Sequence, residues 1–134
     1  MKQFFTFLFI VTTLTLASTI REGTMQARSD GSNVTIQWGT ADETNIKEFE
    51  VLRRDGNVGE FISIAVVSKK GSNSFYEYID KSAFKTTGTI YQYRVKVLLQ
   101  NSDAEYFPKD GPLTVSHNVS SVKRTWGSLK AMFR

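Results

Sequence analysis

Apolar and polar residues alternate most regularly in this chain over residues 88–99. The apolar parity consists of Tyr91, Tyr93, Val95, Val97 and Leu99, and the polar parity of Gln92, Arg94 and Lys96. Strict alternation over this length predicts a long β-strand with one buried face and one face in water. Such a strand needs neighbouring strands, and the rest of the chain supplies them.

Shorter segments with strand patterns precede and follow this strand. Turn-forming clusters of Gly, Asn, Asp and Ser separate them, as at residues 30–33 and 55–59. The predicted strands cover residues 23–29, 33–39, 46–54, 60–67, 75–79 and 88–99, followed by a last strand over 104–107 and 112–116. The first strand alternates weakly and is expected at an edge, and the fourth is apolar on both faces. The last strand is expected to be broken around residues 108–111 and to lie at an edge, because Pro108 cannot donate a ladder hydrogen bond.

The number and spacing of these segments indicate the fold class. About seven strands recur at intervals of roughly 10 to 15 residues, and no helical pattern separates them. Helices between parallel strands would be required in an α/β fold. The sequence therefore predicts an all-β, antiparallel sandwich of seven strands over residues 18–118.

The N-terminal segment has the pattern of a secretory signal. Lys2 provides a positive charge, residues 4–16 are apolar with scattered threonines, and Ala17 is a small residue suited to cleavage. The apolar run is shorter than the roughly 20 residues that a membrane-spanning helix needs. We therefore expect residues 1–17 to be a signal peptide, cleaved near Ala17 or Ser18, and the protein to be secreted or held in the cell envelope.

Composition narrows the chemistry that the chain can perform. The sequence contains no cysteine, which excludes disulfides, thiolate nucleophiles and cysteine-based metal sites. Residues 18–118 carry 12 basic and 13 acidic side chains, whereas residues 119–134 carry four basic side chains and no acidic one. A nearly neutral body lacks the concentrated positive face that nucleic-acid binding requires. No nucleic-acid partner is therefore expected.

Several strand positions resemble the core of a fibronectin type III domain. The positions are Trp38 in the second strand, Phe49 and Val51 in the third, and Tyr91, Tyr93 and Val95 in the sixth. The resemblance covers roughly residues 23–118 and is closest to domains of bacterial cell-surface proteins. It implies an immunoglobulin-like sandwich, with the tryptophan at its centre and a tyrosine corner in which the Tyr91 hydroxyl bonds to the preceding loop. The chain has no Arg-Gly-Asp triplet, so integrin-type adhesion is not implied.

Candidate catalytic and metal-binding residues are few. His117, the single histidine, follows Ser116, but no nucleophile elbow or orienting carboxylate accompanies this pair. The loop acids Asp42, Glu43, Asp80 and Asp110 lack calcium-loop spacing and are expected to be solvated. Glu43 and Asn45 match the bacterial pattern, and we expect them to fix their loop through hydrogen bonds to backbone. We therefore expect no catalytic residue, cofactor or metal.

Residues 119–134 form a tail that the sandwich does not explain. Apolar residues recur there at three- and four-residue steps among basic ones, which predicts a short amphipathic helical or flexible tail. The tail has four possible roles: covering its own sandwich, lying on an anionic membrane, docking into a partner, or being read as a sorting signal. The residues expected to carry attachment or docking are Val122, Lys123, Arg124, Trp126, Leu129, Lys130 and Phe133.

These observations favour a non-enzymatic, exported module for interaction or adhesion, with the tail as its attachment, docking or sorting element. The expected partner is another envelope or extracellular protein, or the membrane surface, and the oligomeric state is left open. Two alternatives remain at this point. One is a peripheral membrane protein that binds through its basic amphipathic tail, and the other is an ancillary domain accompanying a carbohydrate-active enzyme.

Overall fold

The computed structural model describes residues 19–83 and 90–116 and contains eight β-strands in these ranges. The strands are β1 (Ile20–Ser29), β2 (Val34–Thr40), β3 (Ile46–Asp55), β4 (Ile62–Ser68), β5 (Phe75–Asp80), β6 (Ile90–Leu99), β7 (Ala104–Phe107) and β8 (Leu113–Ser116). They form two antiparallel sheets. The smaller sheet has the order β1-β2-β5, and the larger has the order β4-β3-β6-β7, with β8 also paired to β6.

The apolar residues of the alternating strands form the core between the two sheets. All six positions that resemble a fibronectin type III core are fully buried: Trp38, Phe49, Val51, Tyr91, Tyr93 and Val95. Trp38 stacks on Tyr76 with their ring centroids 5.2 Å apart, and Phe49 lies 4.9 Å from the Tyr76 ring. Aromatic pairs of this kind add about 0.5–1.5 kcal/mol beyond the burial of their area. The centre of the sandwich is therefore an aromatic cluster that joins β2, β3 and β5.

The segment expected to be one interrupted strand forms β7 and β8. Both pair with β6, with Phe107 opposite Val95 and Val115 opposite Tyr91, so they lie one after the other along a single edge. Pro108 ends β7 because it has no N–H for the ladder. Its carbonyl accepts a hydrogen bond of 2.9 Å from the Arg94 guanidinium.

The first strand begins earlier than expected, at Ile20. A register shift between Arg21 and Gln26 interrupts its pairing with β2, so Ile20 and Met25 are both buried although they have opposite parity. A strand with such an irregularity loses its two-residue period. The sequence pattern therefore did not mark residues 20–22 as part of the strand.

The sandwich has two lateral sides. β1 lies against β8 across the gap between the sheets, so β1, β7 and β8 share one side. β4 and β5, the opposite edge strands of the two sheets, share the other, which we name the β4–β5 side.

The predicted signal at 1–17, His117 and the tail at 119–134 lie outside the described residues. Within the described ranges, no helix is long and apolar enough to cross a membrane.

Candidate interaction surface

A buried ionic network closes one end of the sandwich around Asp80. This carboxylate is only 1% exposed, contrary to our expectation of a solvated loop acid. Arg53 donates to it at 2.9 Å, Tyr93 at 2.8 Å, and Ser82 through both its N–H and its hydroxyl at 3.0 and 2.7 Å. The expectation was wrong because Asp80 is the last residue of β5, where it faces Arg53 of β3 across the sandwich.

The electrostatics of this network favour an ionised Asp80. Burial alone would raise the pKa of Asp80, but hydrogen bonds from Ser82, Tyr93 and Arg53 outweigh it and hold the pKa below its ordinary value. Burial, together with the hydrogen bond to Asp80, raises the pKa of Tyr93. The acceptor oxygens of Asp80 are thus used within the fold. The network stabilises the sandwich and does not present an acid to a substrate.

The tyrosine corner lies beside this network. The Tyr91 hydroxyl donates a 2.7 Å hydrogen bond to the carbonyl oxygen of Ala83, eight residues earlier in the chain. The Arg53 guanidinium lies 5.6 Å from the centroid of the Tyr91 ring. The resemblance to fibronectin type III domains implied such a bond, and its geometry ties the segment after β5 to β6.

A second buried carboxylate, Glu43, fixes the opposite end of the sandwich. It is 2% exposed, so the expectation of a solvated acid was wrong here too. Glu43 accepts hydrogen bonds from the Thr40 hydroxyl, from the Tyr76 hydroxyl at 2.8 Å and from the Gly71 N–H at 3.1 Å. Burial, with the added effect of Glu43, raises the pKa of Tyr76 to about 12. Glu43 bonds the backbone of the β4–β5 connection and so holds two loops together. The main-chain carbonyl of Asn45 accepts a hydrogen bond from the Gln100 N–H.

The remaining candidates offer little chemistry. Asp42 and Asp110 are exposed. In the part of the chain that the structure describes, no group of three or more His, Asp or Glu side chains is placed to hold a metal ion. One hollow of about 230 Å³ is lined by Arg53, Arg54, Asp55, Val58, Glu60 and Ile62. It is smaller than the roughly 300–1,000 Å³ of typical small-molecule sites.

The unexplained surface lies on the β4–β5 side. On β4, Ile62 is 56% and Val66 58% exposed, and on β5, Phe75 is 54% and Ile79 41% exposed. These four are the majority of the seven large apolar side chains that are exposed in the described ranges, the others being Val58, Ile90 and Tyr106. The sequence did carry a signal for half of this surface, because the β4 segment is apolar on both faces. Phe75 and Ile79 gave no separate signal, since aromatic residues occupy both parities of β5.

The edge strands differ in how they are protected against pairing. β1 carries a register shift and exposed arginines, the β7–β8 edge is interrupted at Pro108, and β5 carries Glu77 in its middle. Such charges, breaks and prolines keep natural sheet edges from joining other chains. β4 has neither charge nor proline, and its one irregularity is a bulge opposite Val51 and Leu52. Of the four described edges, β4 is the one without a charged residue or a proline, and its bulge is the protecting feature that it has.

Comparison with known proteins supports the architecture. A solved structure described as a Fn3-like protein from Clostridium thermocellum matches with a TM-score of 0.50 and 21% identity, over 69% of this chain and 86% of that one. The fold is fibronectin type III-like. No protein-family model matches the chain, and no curated protein matches it. The fibronectin type III-like likeness therefore concerns the fold alone.

The structure does not describe the residues expected to carry attachment or docking in the tail. Val122, Lys123, Arg124, Trp126, Leu129, Lys130 and Phe133 all lie outside the described residues. The surface on β4 and β5 is thus the part of the candidate site that can be described in atomic terms.

Proposed function

We propose that this chain is a non-enzymatic, exported interaction module of a bacterial envelope. Its sandwich, over residues 18–118, has seven strands when β7 and β8 are counted as one interrupted strand. The observation that carries the proposal is the set of exposed apolar side chains on the two edge strands of the β4–β5 side. Val66 lies on the outer face of the larger sheet, and Phe75 and Ile79 lie on the outer face of the smaller one. Exposed apolar side chains concentrated on two edge strands favour a contact with another molecule. The partner in this proposal is another envelope or extracellular protein, and the signal pattern of residues 1–17 supports export.

Site-specific photo-crosslinking tests the proposal in producing cells. A photoreactive amino acid in place of Phe75 should form adducts with a different protein. The same amino acid in place of Gln26, exposed on β1 of the same sheet, should not. Excess purified wild-type chain should suppress the Phe75 adduct, whereas purified Ile79→Ser chain should compete poorly. Equal adducts from both positions, or equal competition by both chains, would contradict the proposed surface.

The tail has a separate place in the proposal, as an attachment, docking or sorting element. Its support is the segregation of charge, with four basic and no acidic residues in residues 119–134. Deleting these residues should leave the thermal transition of the sandwich unchanged and alter the distribution of the protein between envelope fractions and medium. Loss of the folded state on deletion would show that the tail is structural and would end the attachment hypothesis.

A second candidate function is peripheral membrane binding by the same tail. The sequence pattern favours it by placing Trp126, Leu129 and Phe133 on one helical face beside basic residues. The full mature chain should then co-sediment with anionic vesicles and be released by salt, because screening weakens attraction to the charged surface. Binding that ignores lipid charge and salt would oppose this candidate.

A further inference from the structure

The edge of β4 offers backbone groups for pairing. In an antiparallel sheet, every second residue of an edge strand directs its N–H and C=O away from its neighbour. Among the described residues β4 is hydrogen-bonded to β3 alone, so its other edge is open to another strand. This inference assigns the β4–β5 side to recognition and in that respect rests on the proposed function.

The bulge in β4 determines which residues face the core. Ser63 pairs with Leu52 and Ala65 with Val51, so Ile64 is the extra residue. Ile64, Ala65 and Val67 all pack against the core cluster. Val66 pairs with Glu50, and the Glu50 carboxylate contacts Lys96 on the face of the sheet that points away from the core. Val66 lies on this same outer face. The order of faces along β4 is therefore outward at Ser63, inward at Ile64 and Ala65, outward at Val66 and inward at Val67.

This order is compatible with pairing to a second copy of itself. We propose that β4 pairs antiparallel with β4 of a second copy of this chain, with Ile64 of each copy opposite Ala65 of the other. Inward residues then meet inward residues, and outward Ser63 meets outward Val66. A shift by one residue would place outward Ser63 opposite inward Val67, and sheet registers that mix faces in this way are disfavoured. The bulge thus selects one register.

The charges that flank β4 are compatible with this register. Continuing the pairing beyond β4 brings Glu60 of one copy opposite Lys69 of the other, and both residues are exposed. The two-fold axis repeats this opposite-charge pair on the other side of the interface. β4 itself has no charge that would repel its equivalent. The result is one continuous sheet through both copies, which covers the edge that has no charged residue or proline.

Charge reversal and rescue test the pairing in the full mature chain. Sedimentation velocity over a range of concentrations should show a dimer. Lys69→Glu should weaken dimerisation by roughly tenfold, because it turns two exposed attractive pairs into repulsive ones. Glu60→Lys combined with Lys69→Glu should restore it. Arg28→Glu, a charge reversal at an exposed position of β1 on the other lateral side, should leave dimerisation unaltered and serves as the control.

Hydrogen exchange gives a second readout, since β4 amides should become more protected as concentration rises. If the chain stays monomeric up to millimolar concentration, the pairing of β4 is wrong. That result would not affect the proposed binding of a different protein at Phe75, which the crosslinking experiment tests separately. A dimer that Lys69→Glu does not weaken would also overturn it. So would a chain that dimerises only after residues 119–134 are removed, because the tail would then occupy the edge.

Discussion

Replacing Asp80 by Asn removes the charge at the centre of the buried network and keeps the shape of the side chain. Asp80 accepts four hydrogen bonds from Arg53, Tyr93 and Ser82. Breaking a buried ion pair from one side costs about 3–5 kcal/mol, because the other charge stays buried without compensation. Arg53 retains a second carboxylate, Asp55, at 3.4 Å, so we expect the lower end, about 3 kcal/mol.

Urea unfolding followed by far-ultraviolet circular dichroism measures this loss. For a domain of this size, about 3 kcal/mol corresponds to a fall in melting temperature of at least 12 °C. Asp110→Asn, the same chemical change on an exposed residue, should alter stability by less than about 0.5 kcal/mol. A loss below 1 kcal/mol for Asp80→Asn would show that the network contributes far less than its geometry indicates.

The same pair of proteins gives a pH test. The pKa of Asp80 is lowered in the fold, so the unfolded chain binds more protons between the folded and the ordinary pKa values. The contribution of Asp80 to stability is therefore complete above about pH 4 and is lost as the pH falls further. Wild type should lose stability more steeply than Asp80→Asn below that pH. If the stabilities of the two proteins fell in parallel with pH, Asp80 would not have a lowered pKa in the fold.

Three further changes test other parts of the sandwich. Tyr91→Phe should cost about 1–2 kcal/mol in urea unfolding, because the Ala83 carbonyl loses its buried donor, and no change would mean that water replaces the hydroxyl. Glu43→Gln should cost about 1–3 kcal/mol and speed hydrogen exchange at Gly71, with exposed Glu77→Gln as the unaffected control. Trp38→Phe should cost about 1–3 kcal/mol by leaving space beside Tyr76, and its thermal unfolding should remain a single transition.

The sequence predicted the sheet residues well wherever one face of a strand is buried. The two-residue period correctly identifies the buried face of β6 and the buried positions of Trp38 in β2 and Phe49 in β3. The period is reliable there because a register slip by one residue would expose every apolar side chain of the strand. The same rule fails where a bulge changes parity. Residues 20–22 of β1 were missed for this reason, and the irregular face order of β4 could not be read without its pairing to β3.

The buried acids show a second limit of the sequence pattern. Glu43 and Asp80 stand next to turns and have the surroundings of solvated residues in sequence. The burial of Glu43 depends on Gly71 and Tyr76, which lie 28 and 33 positions away in the chain. The burial of Asp80 depends on Arg53, which lies 27 positions away. A buried charge is tolerated only when such partners satisfy it. No local pattern identifies donors that the fold brings together from distant strands.

The functional candidates are therefore residues that the alternating pattern does not assign to the core. Tyr91 and Tyr93, which in isolation resemble a stacking platform, are fully buried and bonded to Ala83 and Asp80. A side chain committed to the core has no surface left for a ligand. β4 is different, because its apolar residues exceed what one buried face needs and Val66 is left in water. An exposed apolar residue on an edge strand without charge or proline is the feature on which the proposed pairing of β4 rests.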